Sequence, residues 1–282
     1  MVVANRAEFV PMAGLRPVAV ITGASSGIGA ALARVFAAKG HDLALVGRRE
    51  DRLHGLADDI GARGKSRPLV VPLDLTRLDT PVRIGHELGA RGLEPAFVVN
   101  NAGYGLVGRA ADLDRTEQLA MIDLNVRALT DMSLRFIDSL ARHRGGILNV
   151  ASVAAFLPGP RMAVYHATKS YVLSFSEALH AELAPSGVRV TVLCPGPVPT
   201  EFQQRAGIDA AYMPRLLARS AERVAEQGYA GLMRGERVIV PGWGNKLIRL
   251  VLRVAPQRIV LQSADKAMRR RQVGQSRWTK RE

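Results

Sequence analysis

Between Val18 and Val240 the chain alternates short, almost continuously apolar runs with longer segments of mixed character. The runs are Val18–Thr22, Asp42–Val46, Leu69–Leu73, Phe97–Asn100, Gly146–Ala151, Val188–Leu193 and Arg237–Val240. A strand buried on both faces reads this way, without the polar alternation of a half-exposed one. Between the runs lie helix-forming segments such as Ala30–Lys39, closed by Gly40. Strand and helix in strict alternation predict an α/β fold, a doubly wound parallel sheet of about seven strands. No repeat or low-complexity linker divides it. The chain is therefore read as a leader over 1–16, one domain over 17–242 and an extension over 243–282.

The first predicted strand runs into Gly23, Ala24, Ser25, Ser26, Gly27, Ile28 and Gly29, and then into a helix. Glycines permit a tight turn and let backbone N–H groups approach a pyrophosphate, with the helix N-terminus adding positive partial charge. Strand, glycine-rich turn and helix together mark a Rossmann-type dinucleotide site. The second strand ends at Gly47, Arg48 and Arg49. An acid there would bind the ribose 2′-hydroxyl of NAD, whereas arginine suits the 2′-phosphate of NADP. NADP(H) is the expected cofactor, with Arg48 ahead of Arg49.

Tyr165 and Lys169 stand one helical turn apart, so phenol and ammonium share a helix face. A neighbouring positive charge favours the phenolate, and lowering a phenol from ~10 to about 7 takes roughly 4 kcal/mol. A tyrosine so tuned exchanges a proton with a carbonyl or alcohol oxygen near neutral pH. Ser152 lies upstream, at the end of the fifth apolar run.

These motifs, in this order, resemble the short-chain dehydrogenase/reductase family, in its single-domain, NADP-preferring branch. The resemblance runs from about Arg16 to about Gly242. It implies that Asp74 and Leu75 contact adenine, and that Asn101, Ala102 and Gly103 close the fourth strand beneath the cofactor. It places Pro195, Gly196 and Thr200 beside the nicotinamide. Asn125, Ser152, Tyr165 and Lys169 match the family's catalytic residues without departure. By that resemblance Tyr165 is the acid/base, Ser152 binds the substrate oxygen, Lys169 holds the nicotinamide ribose and Asn125 positions a water. An oxidoreductase that reversibly reduces a carbonyl to an alcohol follows, as does a homodimer or homotetramer.

Two regions are expected to set specificity: the segment after Ser152, and a lid over 200–235 that includes Phe202, Tyr212, Met213, Leu216, Leu217 and Tyr229. Both are apolar at several positions, which predicts a substrate with hydrophobic bulk. Val153, Phe156, Pro197 and Phe202 join Ser152 and Tyr165 as candidate substrate contacts.

Composition changes the picture in two places. The single cysteine, Cys194, excludes an internal disulfide framework and fits a reducing, cytoplasmic setting. Its place at the end of an apolar run predicts a buried side chain. The six histidines are scattered, so no metal site is expected. A formal charge of +14 raises nucleic acid as a partner, but no zinc-finger, RNA-binding or homeodomain pattern accompanies it, and none is expected to bind. The charge gathers at Arg269–Arg271 and Arg277–Arg281. Before it, Trp243–Val254 has the pattern of a basic amphipathic helix, broken by Pro256, with a second helix possible over Arg258–Arg271. Such a helix packs on the domain or a partner, or lies on an anionic membrane. The extension resembles that of bacterial short-chain reductases with lipid or unassigned carbonyl substrates, which adds weight to a lipid-like substrate. Two other readings stand beside the enzyme: a non-catalytic NADP-binding regulator or scaffold, and a membrane-surface protein acting through its tail.

Overall fold

The apolar runs assemble into one sheet of seven parallel strands, seen in a computed structural model that describes residues 14–206 and 218–266. The strands are β1 (Arg16–Thr22), β2 (Leu43–Gly47), β3 (Leu69–Pro72), β4 (Leu93–Asn100), β5 (Gly146–Val150), β6 (Arg189–Leu193) and β7 (Val238–Ile239), in the order β3-β2-β1-β4-β5-β6-β7. The helices are α1 (Gly27–Ala38), α2 (Glu50–Ala62), α3 (Thr80–Gly89), α4 (Arg115–Ile122), α5 (Leu129–Arg135), α6 (Ile137–Arg142), α7 (Ala163–Leu183), α8 (Glu201–Ala206), α9 (Ala221–Met233) and α10 (Trp243–Val254). Residues 257–266 add further helical turns.

Successive strand residues point to opposite faces, so each strand feeds two cores. In β1, Ala19 and Ile21 join Phe36, Leu53 and Leu232 beneath α1, α2 and α9. Val18 and Val20 join Ile84, Met132, Leu140 and Leu179 beneath α3, α5, α6 and α7. Both faces being covered explains why the runs lack polar alternation. Each large side chain so buried contributes about 1.5–3 kcal/mol.

The structure moves two boundaries. Arg16, placed in the leader by its polarity, is the first residue of β1 and pairs with Leu93, while its guanidinium reaches Asp42 at 3.3 Å. β4 begins at Leu93 and not at Phe97, because Glu94 and Pro95 disguise it. Pro95 has no N–H to give, and the β1–β4 register shifts beside it, between Val18 and Ala19. Glu94 is buried, and its carboxylate accepts from Arg142 at 2.5 Å and is bonded to His143 at 2.7 Å. Burial works against this carboxylate, but those two partners hold it below the usual range.

A chain of buried amides and hydroxyls ties the sheet to its helices. Asn100 Nδ2 donates to Ser133 Oγ and to Asn149 Oδ1, each at 2.9 Å. Asn149 Nδ2 donates in turn to Ser176 Oγ at 2.9 Å. β4, β5, α5 and α7 are thereby locked in register directly below the strand ends. Asn149→Ala would leave one N–H of the buried Asn100 amide without its acceptor and remove the donor to Ser176, and the expected loss is about 1–3 kcal/mol. Urea unfolding of the variant measures it; unchanged stability would mean that the amide chain does not hold the sheet.

Candidate active site

Sheet order reverses direction between β1 and β4, and a crevice opens there beyond the carboxyl ends of the strands. It is a cleft of about 920 Å³. At one end lies the glycine turn. Gly23 has φ +65°, and a Cβ on Gly29 would stand 2.3 Å from the Gly23 carbonyl oxygen, so side chains are excluded from both. Thr22 staples this turn to the loop after β4: its hydroxyl donates to Val99 O at 3.1 Å and accepts from the Asn101 and Ala102 amides. Asn101 Nδ2 closes the staple on Thr22 O at 3.1 Å.

Ser26 is the N-cap of α1, yet its side chain makes no cap hydrogen bond. Ser26 Oγ instead accepts from Arg49 Nη2 at 2.8 Å, as does Ser25 Oγ. The first N–H groups of α1 are left to the cleft, as an anion site requires. Arg48 lines the same end and faces Asp74 at 3.7 Å. Burial pushes the Asp74 carboxyl up, but the Thr76 amide and hydroxyl and Arg48 together hold it below its ordinary value.

At the other end stand the reacting groups. Tyr165 and Lys169 lie on α7, both buried. Lys169 Nζ donates to Val150 O at 2.8 Å and lies 5.9 Å from the centre of the Tyr165 ring. Ser152 follows β5 and hydrogen-bonds the phenol; its Oγ also accepts from Ala154 N at 3.1 Å. Asn125 does not line the cleft. It is buried behind it, in the π-helical turn Asp123–Ala128 that joins α4 to α5, a feature often found at functional sites. Its Oδ1 accepts from Tyr104 N at 3.1 Å, and its Nδ2 donates to Tyr104 O and Thr168 Oγ1. A Cβ on Gly103 would lie 2.9 Å from Asn125 Oδ1 and 3.6 Å from Lys169 Nζ, so the glycine keeps open the space between them.

The electrostatics differ from the expectation of a phenol near neutrality. Burial pushes Tyr165 up to about 12, against the downward pull of the Ser152 hydrogen bond. Burial also pushes Lys169 down to about 8. The ammonium is engaged by the Val150 carbonyl, and the apolar surroundings penalise the phenolate.

Most residues singled out from sequence line this one cleft: Gly23, Ser26, Gly27, Ile28, Arg48, Arg49, Asp74, Leu75, Asn101, Ala102, Gly103, Ser152, Val153, Tyr165, Lys169, Pro195, Gly196, Pro197, Thr200 and Phe202. Two apolar candidates fall elsewhere. Phe156 lies under the Arg249 guanidinium, 5.1 Å away, and lines a neighbouring groove. Tyr229 sits on α9, edge-on to Phe36 at 4.8 Å and bonded to His41 at 2.9 Å, so it packs in the core and not in a lid. Tyr212, Met213, Leu216 and Leu217 lie outside the described residues. Cys194 is buried as expected, and burial pushes its thiol up to about 12.

Sequence reading missed an ionic bridge across the cleft. Glu201, at the start of α8, accepts from Arg49 at 2.5 Å and from Arg52. Hydrogen bonds from Arg49 and Arg52 hold its carboxyl down at about 2. Arg49 and Arg52 share a helix face at i, i+3, but nothing in sequence pairs them with a residue about 150 positions away. Tyr104 and Met162, both buried, also line the reacting end. Among the described residues no cluster of His, Cys, Asp or Glu could hold a metal.

The short chain dehydrogenase family model matches residues 17–210, a range that includes the glycine turn, Ser152, Tyr165, Lys169 and α8. The chain belongs to that family. The short-chain dehydrogenase is 37% identical over 221 residues to a sulfoacetaldehyde reductase of Chromohalobacter salexigens, covering 73% of this chain and 84% of that one. Its fold matches a Sphingobium yanoikuyae short-chain dehydrogenase in complex with NADPH, at TM-score 0.74 and 31% identity, over 86% and 97% of the two chains. It also matches a bulky-bulky ketone specific alcohol dehydrogenase of Comamonas testosteroni, at TM-score 0.70 and 28% identity, over 86% and 96%. The dehydrogenase is thus an oxidoreductase that binds a nicotinamide cofactor and acts on small molecules. The side-chain-free glycine turn and the open N-terminus of α1 fit such a cofactor.

A buried ammonium destabilises the fold that carries it. Lys169 drops from 10.5 in the unfolded chain to about 8 in the folded one, a cost of about 3 kcal/mol. The unfolded chain holds the proton more tightly, so the cost is full below pH about 8 and fades as pH rises towards 10.5. Lys169→Met removes that cost but leaves the Val150 carbonyl without its donor, a loss of about 1–2 kcal/mol. The variant is expected to be more stable than wild type near neutral pH by about 1–2 kcal/mol, with the gap closing in alkali. Urea unfolding at neutral and alkaline pH checks this; a variant less stable at neutral pH would contradict it.

Proposed function

We propose that the protein is an NADP(H)-dependent carbonyl reductase, acting reversibly on an apolar ketone or aldehyde with Tyr165 as acid/base. The observation that carries this reading is the buried Tyr165 phenol, hydrogen-bonded by Ser152 and one helical turn from Lys169 at the end of the cleft. A phenol held at about 12 is fully protonated at neutral pH, which favours the direction in which it donates. When bound, the nicotinamide cofactor supplies the hydride. Tyr165 gives its proton to the carbonyl oxygen, and the Ser152 hydroxyl stabilises the charge developing on that oxygen. Lys169 holds the ribose hydroxyls and keeps a positive charge next to the phenolate that forms. Asn125 positions a water on the space beside Gly103, through which Lys169 exchanges protons with solvent.

Arg48 and Arg49 favour NADP(H): they bring two guanidinium groups to the end of β2, where an acid would select NAD. The NADPH complex of the Sphingobium relative supports that preference. Tyr104, Val153, Met162 and Phe202 make the substrate end apolar, and the ketone-specific relative accords with a bulky substrate. A purely regulatory NADP-binding role has no use for the assembled Ser152, Tyr165 and Lys169. Copies pair across α4, α5 and α7, where Leu119, Leu134 and Tyr171 are exposed.

Tyr165→Phe is expected to abolish turnover of NADPH with a screened set of bulky ketones while NADPH binding stays within about twofold. Turnover near wild type would remove Tyr165 from the acid/base role. Arg48→Ala is expected to weaken NADPH by about 2 kcal/mol and to leave NADH nearly unchanged, as read by titration calorimetry. Equal weakening of both cofactors would exclude Arg48 from the 2′-phosphate.

A further inference from the structure

Helix α10 turns its apolar side to water. Trp243, Leu247, Leu250, Val251 and Val254 recur at the spacing of a single helical stripe, and they are 75%, 46%, 61%, 52% and 82% exposed. The opposite side faces the protein: Asn245 is buried and donates to Pro241 O at 2.7 Å, and Arg249 lies over Phe156. Beyond Pro256 the chain runs on as helix, with Ile259 exposed by 58%, and Asp265 fastens it to Arg161 at 3.4 Å. The orientation of α10 is therefore fixed by packing, and its apolar stripe is left outermost. An exposed apolar stripe on a helix mounted this way has the character of an interaction surface.

Charge decides between the possible occupants. Residues 243–282 hold eleven lysines and arginines against two acids, a net +9 of the chain's +14. A second copy brought to the stripe would set +9 against +9. A nucleic acid would match the charge and leave the apolar stripe wet. An anionic bilayer satisfies both, taking the stripe into its acyl boundary and the cations onto its head groups. Trp243 at the head of the stripe is the residue type favoured at that depth. Twelve residues make a helix of about 18 Å, too short to cross, and no described helix is long and apolar enough to do so.

We propose that α10 docks the protein flat on an anionic lipid surface, which the net positive charge of residues 243–282 attracts. The docked face lies beside the reaction cleft. A groove of about 600 Å³ runs between Leu261 and the loop after Ser152, and its walls Leu157 and His166 also line the cleft. The proposal does not depend on the carbonyl reductase reading.

The test is cosedimentation of the full chain with vesicles of phosphatidylcholine alone, or with about one third phosphatidylglycerol. Binding is expected only to the anionic vesicles and is expected to weaken with added salt. Replacing two exposed side chains together by neutral polar ones, Leu250→Asn and Val254→Asn, is expected to reduce binding at least about tenfold while the melting temperature holds. A second readout needs no change in the stripe. Trp243 is one of two tryptophans, so in a Trp278→Phe protein its emission should shift to the blue on anionic vesicles. No binding to anionic vesicles, no emission shift, or undiminished binding by the double variant would overturn the proposal, the last by reducing it to bare charge attraction. So would absence of vesicle binding in a wild-type oligomer that the double variant dissociates, which would make a second copy the occupant.

Discussion

Everything at the reacting end of this protein turns on one buried hydrogen bond, from the Lys169 ammonium to the Val150 carbonyl. A charge held in apolar surroundings is costly, and burial has pushed this lysine down to about 8. The same surroundings push the Tyr165 phenol up to about 12. The two groups, close in range when free in water, are thereby pushed apart, so that near neutral pH the phenol keeps its proton for donation. The fold supports the cost through the two apolar cores and through the amide chain from Asn100 to Ser176, which locks β4 and β5 under α7.

The parallel sheet supplies the geometry that this chemistry needs. Parallel strands deliver all their carboxyl ends to one edge, so Ser152, Pro195 and the Asn101 loop meet though they are far apart in sequence. Reversal of strand order between β1 and β4 opens the crevice, and Thr22 sets its width by bonding the glycine turn to the loop opposite. The π-helical turn at Asn125 breaks the regular spacing between α4 and α5 and aims an amide at the backbone of Tyr104.

Charge is sorted over the molecule in two zones. In the cleft, Arg48, Arg49 and Arg52 face two carboxylates, Asp74 and Glu201, so the site is cationic but not uncompensated. In the extension most of the charge is unmatched by acids in the sequence, and the extension begins with a helix whose apolar stripe is exposed. The first pattern suits a small anionic ligand that competes with carboxylates for arginine. The second suits an extended anionic surface.

Apolar runs at regular intervals determined the strands and the parallel sheet, because a strand buried on both faces has no freedom to be polar. The short motifs determined most of the cleft, since a close backbone approach admits only glycine and a shared helix face admits only i, i+4 spacing. β4 was half hidden, because Glu94 is polar in sequence and becomes a core residue only when Arg142 and His143 arrive to pair it. Phe156 looked like a substrate contact and Tyr229 like a lid residue because an aromatic residue carries no mark of which cavity it fills. The Glu201 bridge, the protonated state of Tyr165 and the outward turn of α10 were decided by tertiary structure alone. Each depends on distances between distant segments and on exclusion of water, which residue order does not encode.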